Sequence, residues 1–171
     1  MARIEKPDLD AESLRGLISD ITKGRGSVID LYAMLLHSPP VASGWLEYLS
    51  AIRRKTSMED AIRELVIMQI AALNDSSYEA AQHRKLALDA GLSEAQLSVL
   101  PEWQGSDRFD RREQAVLAYA DAMTRQVQVP DAVFANVAAL FDTRALVELT
   151  ATIAAYNMVS RFLEALEIRF P

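Results

Sequence analysis

Apolar residues recur every three or four positions through almost every segment of the chain, and helix start and stop signals bracket each run. The pattern predicts an all-α protein. Asp10 is placed to cap a first helix reaching Lys23, where Gly24-Arg25-Gly26 breaks the period. Ser27 opens a second through Leu31, Leu35 and Leu36, stopped by Ser38-Pro39-Pro40. Those prolines start a third, which carries Trp45, Tyr48 and Leu49 to about Lys55. Ser57-Met58-Glu59-Asp60 announces a fourth, Ala61 to Leu73, apolar nearly all round, so it calls for burial on several sides. Asn74-Asp75 turns the chain into a fifth helix that begins at Ser76-Ser77-Tyr78-Glu79 and ends at Gly91. Ser93 and Gln96 have the spacing of a capping box for a short helix before Pro101, as do Asp110 and Glu113 for the next. Pro130 opens one ending near Phe141. The last runs from about Thr143 to Ile168, roughly 39 Å at the helical rise per residue.

A chain of 171 residues, 50% hydrophobic and with only 6 glycines and 6 prolines, can bury a sizeable core, and we read it as a single domain over 1–171. Apolar residues on most faces of the helices at 61–73 and 143–168 exceed what one small core covers, so both are expected to meet copies of the chain. The absence of cysteine excludes disulfides, zinc–thiolate centres and dithiol redox chemistry by the chain's own residues. Twenty-four acidic residues against 18 basic ones give a formal net charge of −6, which disfavours nucleic acid as a partner. The opening residues are polar and the greasy stretches are interrupted by Glu148, Thr150, Asn157 and Arg161. A cytoplasmic protein with no membrane partner is therefore expected.

There are two histidines, His37 and His83, and no HExxH-type spacing, which sets metal aside. His37, just before the Ser38-Pro39-Pro40 break, reads as a partner for a helix C-terminus. His83 has company: Glu79 lies four positions before it and Ser76 three before that, all toward one helix face. Glu64 sits in the preceding helix. If the two helices fold back at the usual spacing of about 8–10 Å, Glu64 approaches His83. A carboxylate among Ile62, Leu65 and Met68 requires a partner, and since Arg63 points elsewhere on the helix, His83 is the first choice. Such a pair is a proton-transfer device, the carboxylate fixing the ring's tautomer and stabilising its charged form. Ser76 and Glu79 also fit a capping box, which by itself accounts for both residues. Tyr78, Trp45, Tyr48 and Met68 read as core or as pocket lining. Asn157 and Arg161, four apart on the last helix, suit either a substrate carboxylate or a subunit contact.

The run Arg63-Glu64-Leu65-Val66-Ile67, Ala72-Leu73-Asn74, Tyr78-Glu79, Ala81-Gln82-His83 and Ala90-Gly91-Leu92-Ser93 resembles the core of the carboxymuconolactone decarboxylase and alkylhydroperoxidase D-like (AhpD-like) superfamily. The likeness extends upstream through Leu36-His37-Ser38-Pro39 and Trp45, and downstream through Tyr156-Asn157-Met158-Val159 and Arg161. Redox members carry Glu, Cys, Cys and His separated by twelve, three and four positions. The same spacings here hold Glu64, Ser76, Glu79 and His83. The resemblance implies an AhpD-like helical bundle of about eight helices, assembling as a homotrimer or homohexamer. Hydroperoxide reduction fails, because neither hydroxyl nor carboxylate passes through sulfenic acid and disulfide. A peroxidase borrowing cysteines from a partner is the weakest alternative. What survives is the acid–base part. The resulting expectation is a cofactor-free enzyme of decarboxylase or lyase type acting on a small organic acid, lactone or carbonyl compound. Glu64, His83, Glu79 and Ser76 would be catalytic, with Tyr78, Arg161 and Asn157 toward the substrate. Two glutamates repel a carboxylate, so either Arg161 or Arg84 contributes or the substrate is neutral. The alternative is a non-catalytic oligomeric module that binds a small molecule or serves assembly.

Overall fold

The computed structural model describes residues 2–170. Among them, one 3-10 turn (Glu12–Leu14) and nine α-helices make up the fold, with no strand. The helices are α1 (Arg15–Arg25), α2 (Asp30–Leu35), α3 (Pro39–Arg54), α4 (Asp60–Leu73), α5 (Ser77–Asp89), α6 (Glu94–Leu97), α7 (Arg111–Arg125), α8 (Asp131–Ala138) and α9 (Thr143–Ala165). None is long and apolar enough to cross a membrane. The chain divides into two compact units, one holding residues up to Thr56 with Ala165–Arg169, the other Ser57–Glu164 with Phe170.

In the first unit α1 packs on α3, and α2 on α3. Gly26, at φ 86°, ends α1 in the left-handed region that a side chain resists, its N–H returning to Thr22 O at 2.8 Å. Asp10 does not cap a helix. Its N–H turns to Asp8 Oδ1 at 3.0 Å, and α1 starts only at Arg15. Nor does Ser27 open α2, which begins at Asp30 behind an extended Ile29. His37 lies just beyond α2, and its Nε2 sits 2.8 Å from Glu5 O rather than on the helix-end carbonyls.

The second unit is built around α4, which packs on α5 and α7. Nine of its residues are buried, Glu64 and Gln69 among them. The chain itself thus covers a helix expected to need a partner subunit. That expectation passes to α9, where Val147 is 62% and Met158 37% exposed. Ser57 does not cap α4 either. Its N–H and hydroxyl both donate to Glu148 Oε2 of α9, at 2.8 and 2.7 Å. A side cluster of Leu65, Met68, Ala87, Leu92, Leu97, Phe109 and Leu117 joins α4, α5, α6 and α7. α9 ends at Ala165, short of Ile168, and Glu167 just beyond adopts φ 52°.

Candidate functional site

The turn between α4 and α5 sets the geometry. Asp75 takes the left-handed region at φ 52°, which aspartate tolerates better than most residues, and Ser76 N–H closes the turn on Ala71 O at 2.8 Å. The chain reverses and α5 returns along α4, bringing His83 back to Glu64. His83 Nδ1 donates to Glu64 Oε2 at 2.7 Å, with the residues 7% and 2% exposed. Tyr156 of α9 stands edge-on to the imidazole, ring centres 5.2 Å apart and planes at 88°. Arg63, expected to point away, curls back so that its Nε donates to Glu64 Oε1 at 3.3 Å while Nη1 holds Asp60 Oδ1 at 2.8 Å. Both oxygens of the buried carboxylate therefore have partners. In the neutral ring, a proton on Nδ1 directed at Glu64 leaves the lone pair on Nε2.

The capping box expected at Ser76 and Glu79 does not form. An N-cap hydroxyl reaches the third amide from extended backbone, whereas Ser76 has ψ 83°. Where the N-cap is extended, at Ser93 (ψ 153°) and Asp110 (ψ 174°), the reciprocal bonds with Gln96 and Glu113 are both present. Glu79 turns inward instead, and Ser160 of α9 donates to its Oε2. The pairs 79 with 160 and 83 with 156 run in opposite order, so α5 and α9 are antiparallel here. Glu79 Oε1 and Ser76 Oγ are buried without a hydrogen-bond partner, an arrangement that ordinarily costs about 1–3 kcal/mol per group. Burial lifts the Glu79 carboxyl to a pKa of about 8, opposed by the Ser160 hydrogen bond and reinforced by the charge of Glu164. At neutral pH it is mostly an uncharged acid.

Ser76 also lines a depression of about 250 Å³, together with Ala71, Ala72, Asp75, Ser77 and Ala80. Ala80 lies one helical turn before His83 on α5. Of the residues expected to meet substrate, Tyr78 is 3% exposed and packs edge-on against Phe170, ring centres 6.0 Å apart. Asn157 is occupied by the scaffold. Its Oδ1 accepts from Asn74 Nδ2 (3.1 Å) and Arg161 Nη1 (2.5 Å), and its Nδ2 donates to Thr124 Oγ1 (2.9 Å) and Ile153 O (3.1 Å). That fills all four positions of the amide, in place of the substrate contact expected of it. Arg161 is held by the same residue, and Arg84 pairs with Glu94. Trp45 and Tyr48 belong to α3 in the other unit. No group of three or more Asp, Glu or His among the described residues is placed to hold a metal.

Residues 39–122 match the carboxymuconolactone decarboxylase family. Over 127 residues the chain is 34% identical to the uncharacterized protein YnjA of Escherichia coli (strain K12), a match spanning 73% of this chain and 66% of that relative's length. The chain belongs to the carboxymuconolactone decarboxylase family. Its fold is AhpD-like. A crystal structure of an alkylhydroperoxidase AhpD core, an uncharacterized peroxidase-related protein from Ralstonia eutropha JMP134, superposes with a TM-score of 0.81 at 19% identity, covering 99% of this chain and 92% of that one. The debrominase Bmp8 in complex with 2,3,4-tribromopyrrole gives 0.78 at 17% identity, covering 97% and 88%. Within the carboxymuconolactone decarboxylase family this chain has no cysteine, so it is not a thiol-dependent peroxidase. Ser160 and Tyr156 were not among the site residues expected from the sequence, although they lie four apart on the last helix, Tyr156 within the stretch that carries the family resemblance.

Proposed function

We propose that this carboxymuconolactone decarboxylase-family protein is a cofactor-free acid–base enzyme of lyase or decarboxylase type acting on a small organic molecule. The observation that carries this reading is the buried 2.7 Å contact between His83 Nδ1 and Glu64 Oε2. Glu64 orients the ring, balances its charge on protonation and is itself steadied by Arg63. His83 Nε2 then takes and returns a proton. The neutral state of Glu79 removes one of the two negative charges that would repel an anionic substrate. The arginines a carboxylate would call on are held by Glu94 and Asn157, which favours the lyase form of this reading, on a lactone or carbonyl compound, over decarboxylation of a free acid. The debrominase Bmp8, with bound 2,3,4-tribromopyrrole, supports a ligand of that size on this fold.

The test is solvent deuterium incorporation into a panel of small lactones, ketones and keto acids, followed by mass spectrometry. Wild-type protein should catalyse exchange or turnover of at least one compound, and His83→Ala should lose it by about 100-fold or more. Full activity in His83→Ala overturns the mechanism. A binding or assembly module is the second reading, favoured by the satisfied state of Glu64, whose two oxygens are both paired as a structural ion cluster requires. Homotrimeric or homohexameric assembly belongs to either reading, with Val147 and Met158 of α9 offered to the contact.

A further inference from the structure

Two buried polar atoms, Ser76 Oγ and Glu79 Oε1, meet no partner within the protein, although the other carboxyl oxygen of Glu79 accepts from Ser160. Ser76 is the N-cap residue of α5 and Glu79 lies three positions on, with His83 one helical turn beyond Glu79. Ser76 lines the 250 Å³ depression at the α4–α5 turn, whose other walls are mostly alanine, while Glu79 and His83 are buried and take no part in that lining. We propose that Ser76 and Glu79 form a two-donor cradle for a carbonyl oxygen, making the substrate a neutral, enolisable carbonyl compound. This rests on the acid–base reading above.

The Ser160 hydroxyl occupies Glu79 Oε2, so in the acid form the proton sits on Oε1 and is available to a ligand. His83 Nε2 removes the proton α to the carbonyl. The C–H electron pair becomes the C=C bond, and the carbonyl π pair moves onto oxygen, where Glu79 Oε1–H and Ser76 Oγ–H donate to it. Return of the proton to carbon completes exchange or isomerisation with no net oxidation. The same kind of assignment, a carboxylic acid kept neutral by an apolar setting so that it donates, is known chemistry elsewhere. The charge that acts on Glu79 comes from Glu164 of α9, and on its own helix His83, paired with Glu64, follows one turn later. Glu164 raises its pKa further, so the donor fails as pH climbs past about 8.

The test uses the full chain and 4-fluorophenol, a small enolate mimic, titrated by fluorine NMR between about pH 6 and 9. Saturable binding is expected for the wild type, weakening as pH rises. Ser76→Ala and Glu79→Leu should each weaken binding by about tenfold. Glu79→Gln keeps a donor in nearly the same shape, so it should bind as wild type does at low pH and lose the pH dependence, provided circular dichroism shows it folded. Absence of saturable binding, equal binding by Ser76→Ala and Glu79→Leu, or an unchanged pH trend in Glu79→Gln overturns the cradle. His83→Ala separates the two claims. Exchange surviving in that variant defeats the acid–base reading, while its phenol titration reports on the cradle independently.

Discussion

Glu64 is held at both oxygens, by His83 and by Arg63, inside an apolar helix. Replacing it with leucine takes the partner from the buried imidazole Nδ1 and from Arg63 Nε, leaving Arg63 only its Asp60 contact, so Glu64→Leu should lose about 3–5 kcal/mol of stability in urea unfolding. Glu79 behaves oppositely, since its folded pKa of about 8 lies above the ordinary 4.5. The folded state therefore binds the extra proton between those values. Its contribution to stability is complete below about pH 4.5, declines as pH rises and is gone above about 8. Glu79→Gln should flatten that limb of a stability-against-pH curve, and an unchanged slope would assign it to other groups. The Glu64–His83 contact was legible because a carboxylate in an apolar helix demands a partner and the hairpin spacing supplies one. Arg63 was not, because a long flexible side chain reaches a neighbour that its Cα–Cβ direction does not face.

Helix starts show the same contrast between local and tertiary control. Ser93 and Asp110 cap α6 and α7 from extended backbone, and Ser93→Ala or Asp110→Ala should each cost about 1 kcal/mol in thermal or chemical unfolding. Ser76→Ala removes no cap and deletes an unpaired buried hydroxyl, so it should leave stability unchanged or slightly raised. A loss of about 1 kcal/mol there would restore the capping reading. Breaks made by backbone sterics, at Gly26, Pro39 and Gly91, could be read from sequence, as could the two capping boxes that formed. The boundaries at Asp10, Ser27 and Ile168 could not, because Asp10 bonds back to Asp8, Ile29 stays extended ahead of α2 and Glu167 turns left-handed, none of which composition announces. Ser76-Ser77-Tyr78-Glu79 satisfied the capping cue in full, yet Ser160, eighty-one residues from Glu79, captured the carboxyl.

For the whole molecule, α9 combines a buried face from Leu149 to Leu163 with exposed apolar side chains at Val147 and Met158. If copies associate there, Val147→Glu with Met158→Glu should reduce the mass seen in light scattering without loss of helicity, and an unchanged mass would place the contact elsewhere. The all-helical architecture was legible because nearly every apolar run has one period. Which surfaces are covered was less so: α4 looked as though it needed a neighbour, and α5 and α7 already provide it. Asn157 has a further consequence. One amide joins the α4–α5 turn through Asn74, α7 through Thr124 and the end of α9 through Arg161. These segments should open as one cooperative unit, with backbone amides near 74, 124 and 157 exchanging deuterium at a shared slow rate. Asn157→Leu should split that common rate into separate ones, so the reversal that presents Ser76 and the helix that carries Ser160 would no longer breathe together.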